Sequence, residues 1–219
     1  RLGVDAGDGI LDGALYNTLI GTNAGTAITI GDSNVAIGTD ALMTLTAHAN
    51  NVAIGQHALR MLEAGQDAYN VAVGYYAGAV ISTGLRNTIM GALAGDALTD
   101  ADDNVAVGAY SLTADTKGSR TVAIGKEALA AQNMTTATNS NNVAVGAFAG
   151  NILTSGIKNT LVGADAGNSI TGAGFDAGSP YARITGGDSN VLLGYAAGQN
   201  ITTGDSNIMI GTVDAASAT

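Results

Sequence analysis

Cysteine and tryptophan are absent from this 219-residue chain, and it has a single proline, Pro180. Without cysteine there is neither a disulfide framework nor a thiolate metal site. One proline excludes a Pro-rich linker, and a hydrophobic content of 46% opposes intrinsic disorder. Charge is scarce as well, at 12% of residues, well below the usual share. Eight scattered Lys and Arg against 18 Asp and Glu give a net charge of −10, which opposes nucleic-acid contacts and anionic membrane surfaces. No apolar run reaches the roughly 18 residues of a spanning helix, so no membrane insertion is expected. No secretory leader is recognisable, and a sequence opening on Arg1 reads as a segment of something longer. So little charge implies a surface rich in Ser, Thr, Asn and Gly, covered in part by partner chains.

What the chain has in abundance is repetition. A unit N-V-A-I-G-x-x-A-(L/G)-x-x-(I/L)-T-x-G-x-x starts at Asn17, Asn34, Asn51, Asn70, Asn87, Asn104, Thr121, Asn142, Asn159, Asn190 and Asn207. The spacings are 17, 17, 19, 17, 17, 17, 21, 17, 31 and 17 residues, so the period is 17 with insertions of 2, 4 and 14. A fixed short period is the mark of a solenoid, and insertions are tolerated where a loop leaves the stack. The fold expected is therefore all-β with short helical turns: a parallel β-solenoid of about eleven 17-residue coils. Residues 1–16 read as an N-terminal connection or cap and residues 17–219 as the solenoid. A loop insertion falls at about 171–189, carrying Phe175, Pro180, Tyr181 and Arg183.

Two positions define the unit. Asn opens it and Gly stands fifth: Asn34 with Gly38, Asn51 with Gly55, Asn70 with Gly74, Asn87 with Gly91, Asn104 with Gly108, Asn142 with Gly146, Asn159 with Gly163 and Asn190 with Gly194. The glycine implies a positive φ or a close backbone approach. The asparagine either stacks as a side-chain ladder along the solenoid or caps a turn. Between them lie three apolar residues. Strict alternation would expose the middle one, yet it is Ala, Leu, Ile or Met in every copy, so both faces of the strand are expected to be covered. Position three is large where position two is Thr (Thr18-Leu19, Thr88-Ile89, Thr160-Leu161) and usually Ala where position two is Val, a trade-off expected of a dense interior. After the glycine, segments such as Gln56–Leu62 favour one or two helical turns by propensity.

The run Ser33-Asn34-Val35-Ala36-Ile37-Gly38, echoed at Asn70–Gly74, Thr121–Gly125 and Asn142–Gly146, resembles the head repeats of YadA-like trimeric autotransporter adhesins. The N-(T/V)-x-x-G-x-x-A-G variants resemble repeats of phage tail-fibre proteins. The resemblance spans about residues 17 to 215 and implies a left-handed parallel β-roll, a homotrimer, and an extracellular place on a virion tail fibre or a bacterial surface. It further implies contact with a host-surface glycan or protein, or with extracellular matrix. The family's head repeat is shorter than 17 residues, and the A-(L/G)-x-x-(I/L) portion is extra.

Reactive chemistry is not expected. His48 falls in an inter-repeat turn and His57 at a variable position, with no second ligand near either in sequence, so neither a metal nor a cofactor is expected. Asp100, Asp102 and Asp103 form the only dense acidic cluster, in a turn where acids are common; the rival reading is a divalent-cation loop. No carboxylate pair stands in register for glycan hydrolysis. The aromatics Tyr75, Tyr76, Tyr110, Phe148 and Tyr195 gather just after the glycine. Packing is the ordinary reading of them; Tyr75 and Tyr76, with Phe175 and Tyr181, are the candidates for receptor contact. The function expected is a non-enzymatic fibre or adhesin segment. The alternative is an ice-binding solenoid displaying the position-thirteen threonines Thr29, Thr46, Thr99, Thr154 and Thr202.

Overall fold

The computed structural model describes residues 2–167, 187–198 and 204–212. The repeat opening folds as a three-residue strand in every coil. In chain order the strands are β1 (Thr18–Ile20), β2 (Val35–Ile37), β3 (Val52–Ile54), β4 (Val71–Val73), β5 (Thr88–Met90), β6 (Val105–Val107), β7 (Gly118–Ser119), β8 (Val122–Ile124), β9 (Thr138–Asn139), β10 (Val143–Val145), β11 (Thr160–Val162), β12 (Val191–Leu193) and β13 (Ile208–Ile210). Eleven of them form one parallel sheet in sequence order, and β7 and β9 pair separately beside it. Register follows the repeat: Val35 faces Val52, Ala36 faces Ala53 and Ile37 faces Ile54, and so on up the stack. The chain is a parallel β-solenoid with a rung about every 17 residues. At roughly 4.8 Å per rung the eleven rungs make a sheet about 50 Å long.

The strand's middle residue points inward, which corrects the reading that alternation would expose it. Ala36, Ala53, Ala72, Ile89, Ala106, Ala123, Ala144 and Leu161 are buried. The flanking residues at positions two and four point outward. Positions two and three therefore lie on opposite faces and cannot trade volume with one another, so the Thr-large and Val-Ala pairing is not an exchange of interior volume.

Among the described residues the segment after the fifth-position glycine contains no helix, against its propensity. It runs as overlapping β-turns, with Ala58 N–H donating to Gly55 O, Arg60 N–H to His57 O and Leu62 N–H to Leu59 O. The third residue of the first two turns has positive φ, 61° at His57 and 46° at Leu59, the feature of type II turns. Alternating handedness prevents an α-helical ladder from starting. It also turns amide groups along the stack, so this half is hydrogen-bonded coil to coil as well: Gly25 N–H to Ala41 O, Ala27 N–H to Met43 O and Thr29 N–H to Thr46 O.

Position five is glycine for two reasons at once, and both expectations for it hold. Its φ lies between 122° and 142° in the repeats, with 137° at Gly91, 132° at Gly108, 131° at Gly163 and 129° at Gly194. Space forbids a side chain as well. A Cβ on Gly38, Gly74, Gly91, Gly108, Gly163 or Gly194 would come within 2.7 Å of the carbonyl oxygen of the next coil's glycine. The interior is an apolar column in which Ile28, Leu45, Leu62, Ile81, Leu98 and Leu153 recur at position twelve, all fully buried, broken at that position by the buried polar pair Asp115 and Gln132. Residues 2–16 lie against the first repeat in the same form, Leu2 N–H donating to Leu19 O and Gly7 N–H to Ala24 O. Most of the insertion at 171–189, with Phe175 and Tyr181, lies outside the described residues.

Candidate functional site

The opening asparagines from Asn34 to Asn190 are buried and do two jobs. Each Oδ1 accepts the backbone N–H of the residue that opens the next coil: Asn70 N–H to Asn51, Asn87 N–H to Asn70 and Asn104 N–H to Asn87, at 3.1, 2.8 and 3.0 Å, and Thr121 N–H to Asn104. In most coils the side-chain amide closes the coil by donating to the carbonyl 14 residues later, from Asn70 to Gly84, Asn87 to Ala101, Asn104 to Gly118 and Asn142 to Gly156; Asn51 donates instead to Ala49 O, and Asn159 reaches Gly187 O past the long insertion. The ladder and turn-fixing readings are thus both realised in one side chain. These asparagines and the position-five glycines are scaffold, and they aim the outward residues.

Two outward features follow. The first is the sheet face, on which each rung presents positions two and four. Val35 with Ile37, Val52 with Ile54 and Val105 with Val107 are half-buried, and Met90 and Ile124 are 46% and 38% exposed. No charged residue occupies either position in any of the eleven strands, and no described element covers them. The second is the corner just past the glycine. There Asn23, Asp40, His57 and Tyr76 occupy position seven of consecutive coils, and Thr22, Thr39, Gln56 and Tyr75 occupy position six. Asn23 Nδ2 donates to Asp40 Oδ1 at 2.8 Å, and Asp40 Oδ2 lies 3.3 Å from His57 Nδ1. The His57 ring meets Tyr76 at 4.5 Å between centroids, and Tyr76 meets Tyr75 edge-on at 4.5 Å. Tyr75 and Tyr76, paired in sequence, are thus also paired in space, with Tyr75 half exposed. His57 is a partly buried member of this stack rather than an isolated surface residue; its 17- and 19-residue spacing from Asp40 and Tyr76 was the available signal.

The acidic cluster is neutralised by cations from neighbouring coils. Arg86 Nε lies 2.6 Å from Asp103 Oδ1 and its Nη2 3.7 Å from Asp102, while Lys117 Nζ lies 3.9 Å from Asp100. The hydrogen bond from Arg86 holds the Asp103 carboxyl below the usual range. Asp102 also accepts the Leu85 amide. Among the described residues no group of three or more His, Asp or Glu is placed to hold a metal ion. Position-thirteen hydroxyls are directed along the stack: Thr29, Ser82 and Thr99 donate to the carbonyls of Thr46, Thr99 and Thr116.

One buried polar group was not singled out from sequence. Asp115 and Gln132 replace the position-twelve Leu or Ile in two adjoining coils, and the second of these coils opens with Thr121 instead of Asn. Asp115 accepts the amides of Gly118 and Met134 on Oδ1 and Gln132 Nε2 on Oδ2. Gln132 passes the connection to Thr121 and to Asn142. Three departures from the consensus in two successive repeats were its sequence signal. Comparison with protein-family models, with curated proteins and with solved structures returned no match.

Proposed function

We propose that this chain is a structural, non-enzymatic segment of an extracellular attachment fibre, on a virion tail or a bacterial surface. Copies of it associate as a homotrimer through the outward sheet face, and the assembly supports or makes contact with a host-surface glycan or protein. The observation that carries this reading is the uncharged, mainly apolar face running over all eleven rungs, in which Thr18, Thr88 and Thr160 are the polar members. Leaving such a face in water forgoes about 25 cal/mol for each Å² that could be buried. A second copy of this chain suits it, because its own apolar rows repeat at the same rung spacing of roughly 4.8 Å and can mesh without drifting out of phase. The resemblance to YadA-like and tail-fibre repeats points the same way. An ice-binding role is less well supported, because position-thirteen hydroxyls are engaged in hydrogen bonds between coils instead of forming a free array.

Light scattering tests the association. A molar mass near three times the 21.5 kDa chain mass is expected, and a stable monomer at micromolar concentration overturns the reading. The same samples should show no thermal hysteresis.

A further inference from the structure

The corner column deepens the attachment reading, on which it rests, by indicating what kind of ligand is held. At position six Thr22, Thr39, Gln56 and Tyr75 are all exposed and uncharged, and the next coil carries only the methyl of Ala92 there. Beneath them the position-seven side chains form a shelf. Asn23 fixes Asp40, Asp40 stands against the His57 ring, His57 carries Tyr76, and Tyr76 braces Tyr75 edge-on. His57 Nδ1 is buried and has no well-formed hydrogen bond. The ring is held instead through its Nε2, 3.3 Å from Gln56 Nε2, and by packing against Tyr76, which it supports. Tyr75 is a preorganised aromatic platform, which loses little freedom when a ligand stacks on it.

We propose that the column from Thr22 to Tyr75 is a binding strip for a neutral hexopyranose chain laid along the solenoid axis. The apolar face of one sugar stacks on the Tyr75 ring, and sugar hydroxyls exchange hydrogen bonds with Gln56, Thr39 and Thr22. The chemistry fits on three counts. An aromatic face beside neutral amide and hydroxyl groups matches a ligand that has an apolar C–H face and a rim of hydroxyls. Gln and Thr each both donate and accept, as sugar hydroxyls do. The rungs, roughly 4.8 Å apart, present one such group per coil, comparable to the advance of an extended pyranose chain per sugar. An anionic polysaccharide is disfavoured by the net charge of −10 and by the carboxylate of Asp40 under the strip.

The probes are cellohexaose, maltohexaose, mannohexaose and chitohexaose, with a heparin-derived hexasaccharide as the anionic control, followed by saturation-transfer NMR and calorimetry. At least one neutral hexaose is expected to bind. Tyr75→Ala should weaken it about tenfold, the scale of one aromatic stacking contact. Tyr75→Phe should retain binding, and Gln56→Glu should weaken it. Tyr195→Ala, at the same repeat position but remote along the stack, should leave it unchanged. The proposal is overturned if no neutral hexaose binds, if Tyr75→Ala binds like the parent, or if the heparin fragment binds best. A trimer that binds none of the hexaoses sinks this inference alone, whereas a monomer that binds them through Tyr75 sinks the trimeric fibre reading and leaves the strip standing.

Discussion

Leu19 and Gly25 occupy complementary parts of one space: a Cβ on Gly25 would lie 2.7 Å from the Leu19 Cδ2. The relationship recurs through the stack as an exchange between positions three and nine. Gly95, Gly167 and Gly198 accompany the large Ile89, Leu161 and Leu192, whereas Leu42, Leu59, Leu112 and Leu129 accompany Ala36, Ala53, Ala106 and Ala123. Where both positions are small, neighbouring coils fill the gap. A Cβ on Gly150 would meet Leu161 at 2.6 Å and Leu129 at 2.8 Å. Position nine has positive φ whichever residue stands there, 49° at Leu42 and 52° at Gly95. Leucine there costs about 1–2 kcal/mol of backbone strain. Burying its side chain returns about 1.5–3 kcal/mol, so the exchange is close to balanced and either solution can be used.

Gly95→Leu should therefore lower the midpoint of thermal unfolding, since overpacking against Ile89 adds about 1–3 kcal/mol to the strain. Adding Ile89→Ala converts the coil to the arrangement of Ala36 and Leu42 and should recover most of the loss. Circular dichroism melts of the parent, the single and the double variant check it. A double variant no more stable than Gly95→Leu would refute the shared-space account.

The strands, their register and the direction of stacking could be read from the 17-residue period, because a repeat that recurs in sequence must meet its copy in space. The exchange between positions three and nine was harder to see. Position two varies alongside position three and masks it, and only the inward or outward direction of each side chain separates them. Helix propensity misled at Gln56–Leu62 for a related reason: the positive φ values of His57 and Leu59 are imposed by stacking on neighbouring coils, which propensity within one segment does not register. Of the candidate contact residues, Tyr75 and Tyr76 were visible as an aromatic pair. Their support by His57 and Asp40 needed the repeat positions to be aligned across coils.

Asn87→Ala should be costly although no charge is lost. Asn104 N–H and Ala101 O would both be left buried without their present partner. At about 1–3 kcal/mol for each orphaned group, a loss of about 2–6 kcal/mol is expected. Asn87→Asp keeps the acceptor for Asn104 and loses the donor to Ala101, so it should be less harmful when its carboxyl is protonated than at neutral pH. Hydrogen exchange of the amides in these coils, measured for each variant, separates the two losses. Equal protection in the parent and Asn87→Ala would show that the ladder adds nothing to stability.

The sheet face makes its own prediction. Val107 and Val145 project outward at position four and are only half-buried in the single chain. Replacing both with Glu in every copy would place like charges together at the proposed contact and should drive the assembly to monomer. The solenoid itself should keep its secondary structure, because neither side chain enters its core. Light scattering and circular dichroism read the two effects separately, and an unchanged molar mass would exclude this face from the contact.

Two aspartates should respond to pH in opposite senses. Burial raises the Asp96 carboxyl above its ordinary value, against the hydrogen bond from Thr113. Below the unfolded-state pKa, near 4, both states are protonated and Asp96 carries no ionisation penalty. As the pH rises through the raised folded-state value, ionisation penalises the fold, so Asp96→Asn should stabilise at about pH 7 and lose that advantage below about pH 4. Asp103 is held low by Arg86, so its contribution is present above the unfolded pKa and is lost as the pH falls through the lower folded value. Asp103→Asn should thus destabilise slightly at about pH 7, less so in high salt, because the pair is exposed and screened. Denaturant midpoints at about pH 7 and about pH 3 test both. Parallel shifts for the two variants would contradict these assignments.

The polar level around Asp115 is interlocked by donor direction. Its Oδ1 accepts two amides, its Oδ2 accepts the Gln132 amide, and the Gln132 Oε1 accepts Asn142 Nδ2. Asp115→Asn preserves shape and can keep the two backbone bonds, but it turns an NH₂ toward the Gln132 NH₂. Turning Gln132 over relieves that clash only by breaking its bond to Asn142, so one donor is stranded in either arrangement. A loss of about 1–3 kcal/mol is expected. Adding Gln132→Glu supplies acceptors toward both sides, and the Thr121 hydroxyl can reverse to donate. The double variant should then recover stability that neither single variant has, a positive coupling readable in a double-mutant cycle. Strictly additive losses would mean that the hydrogen bonds across this level act independently rather than as one chain joining Asp115 to Asn142.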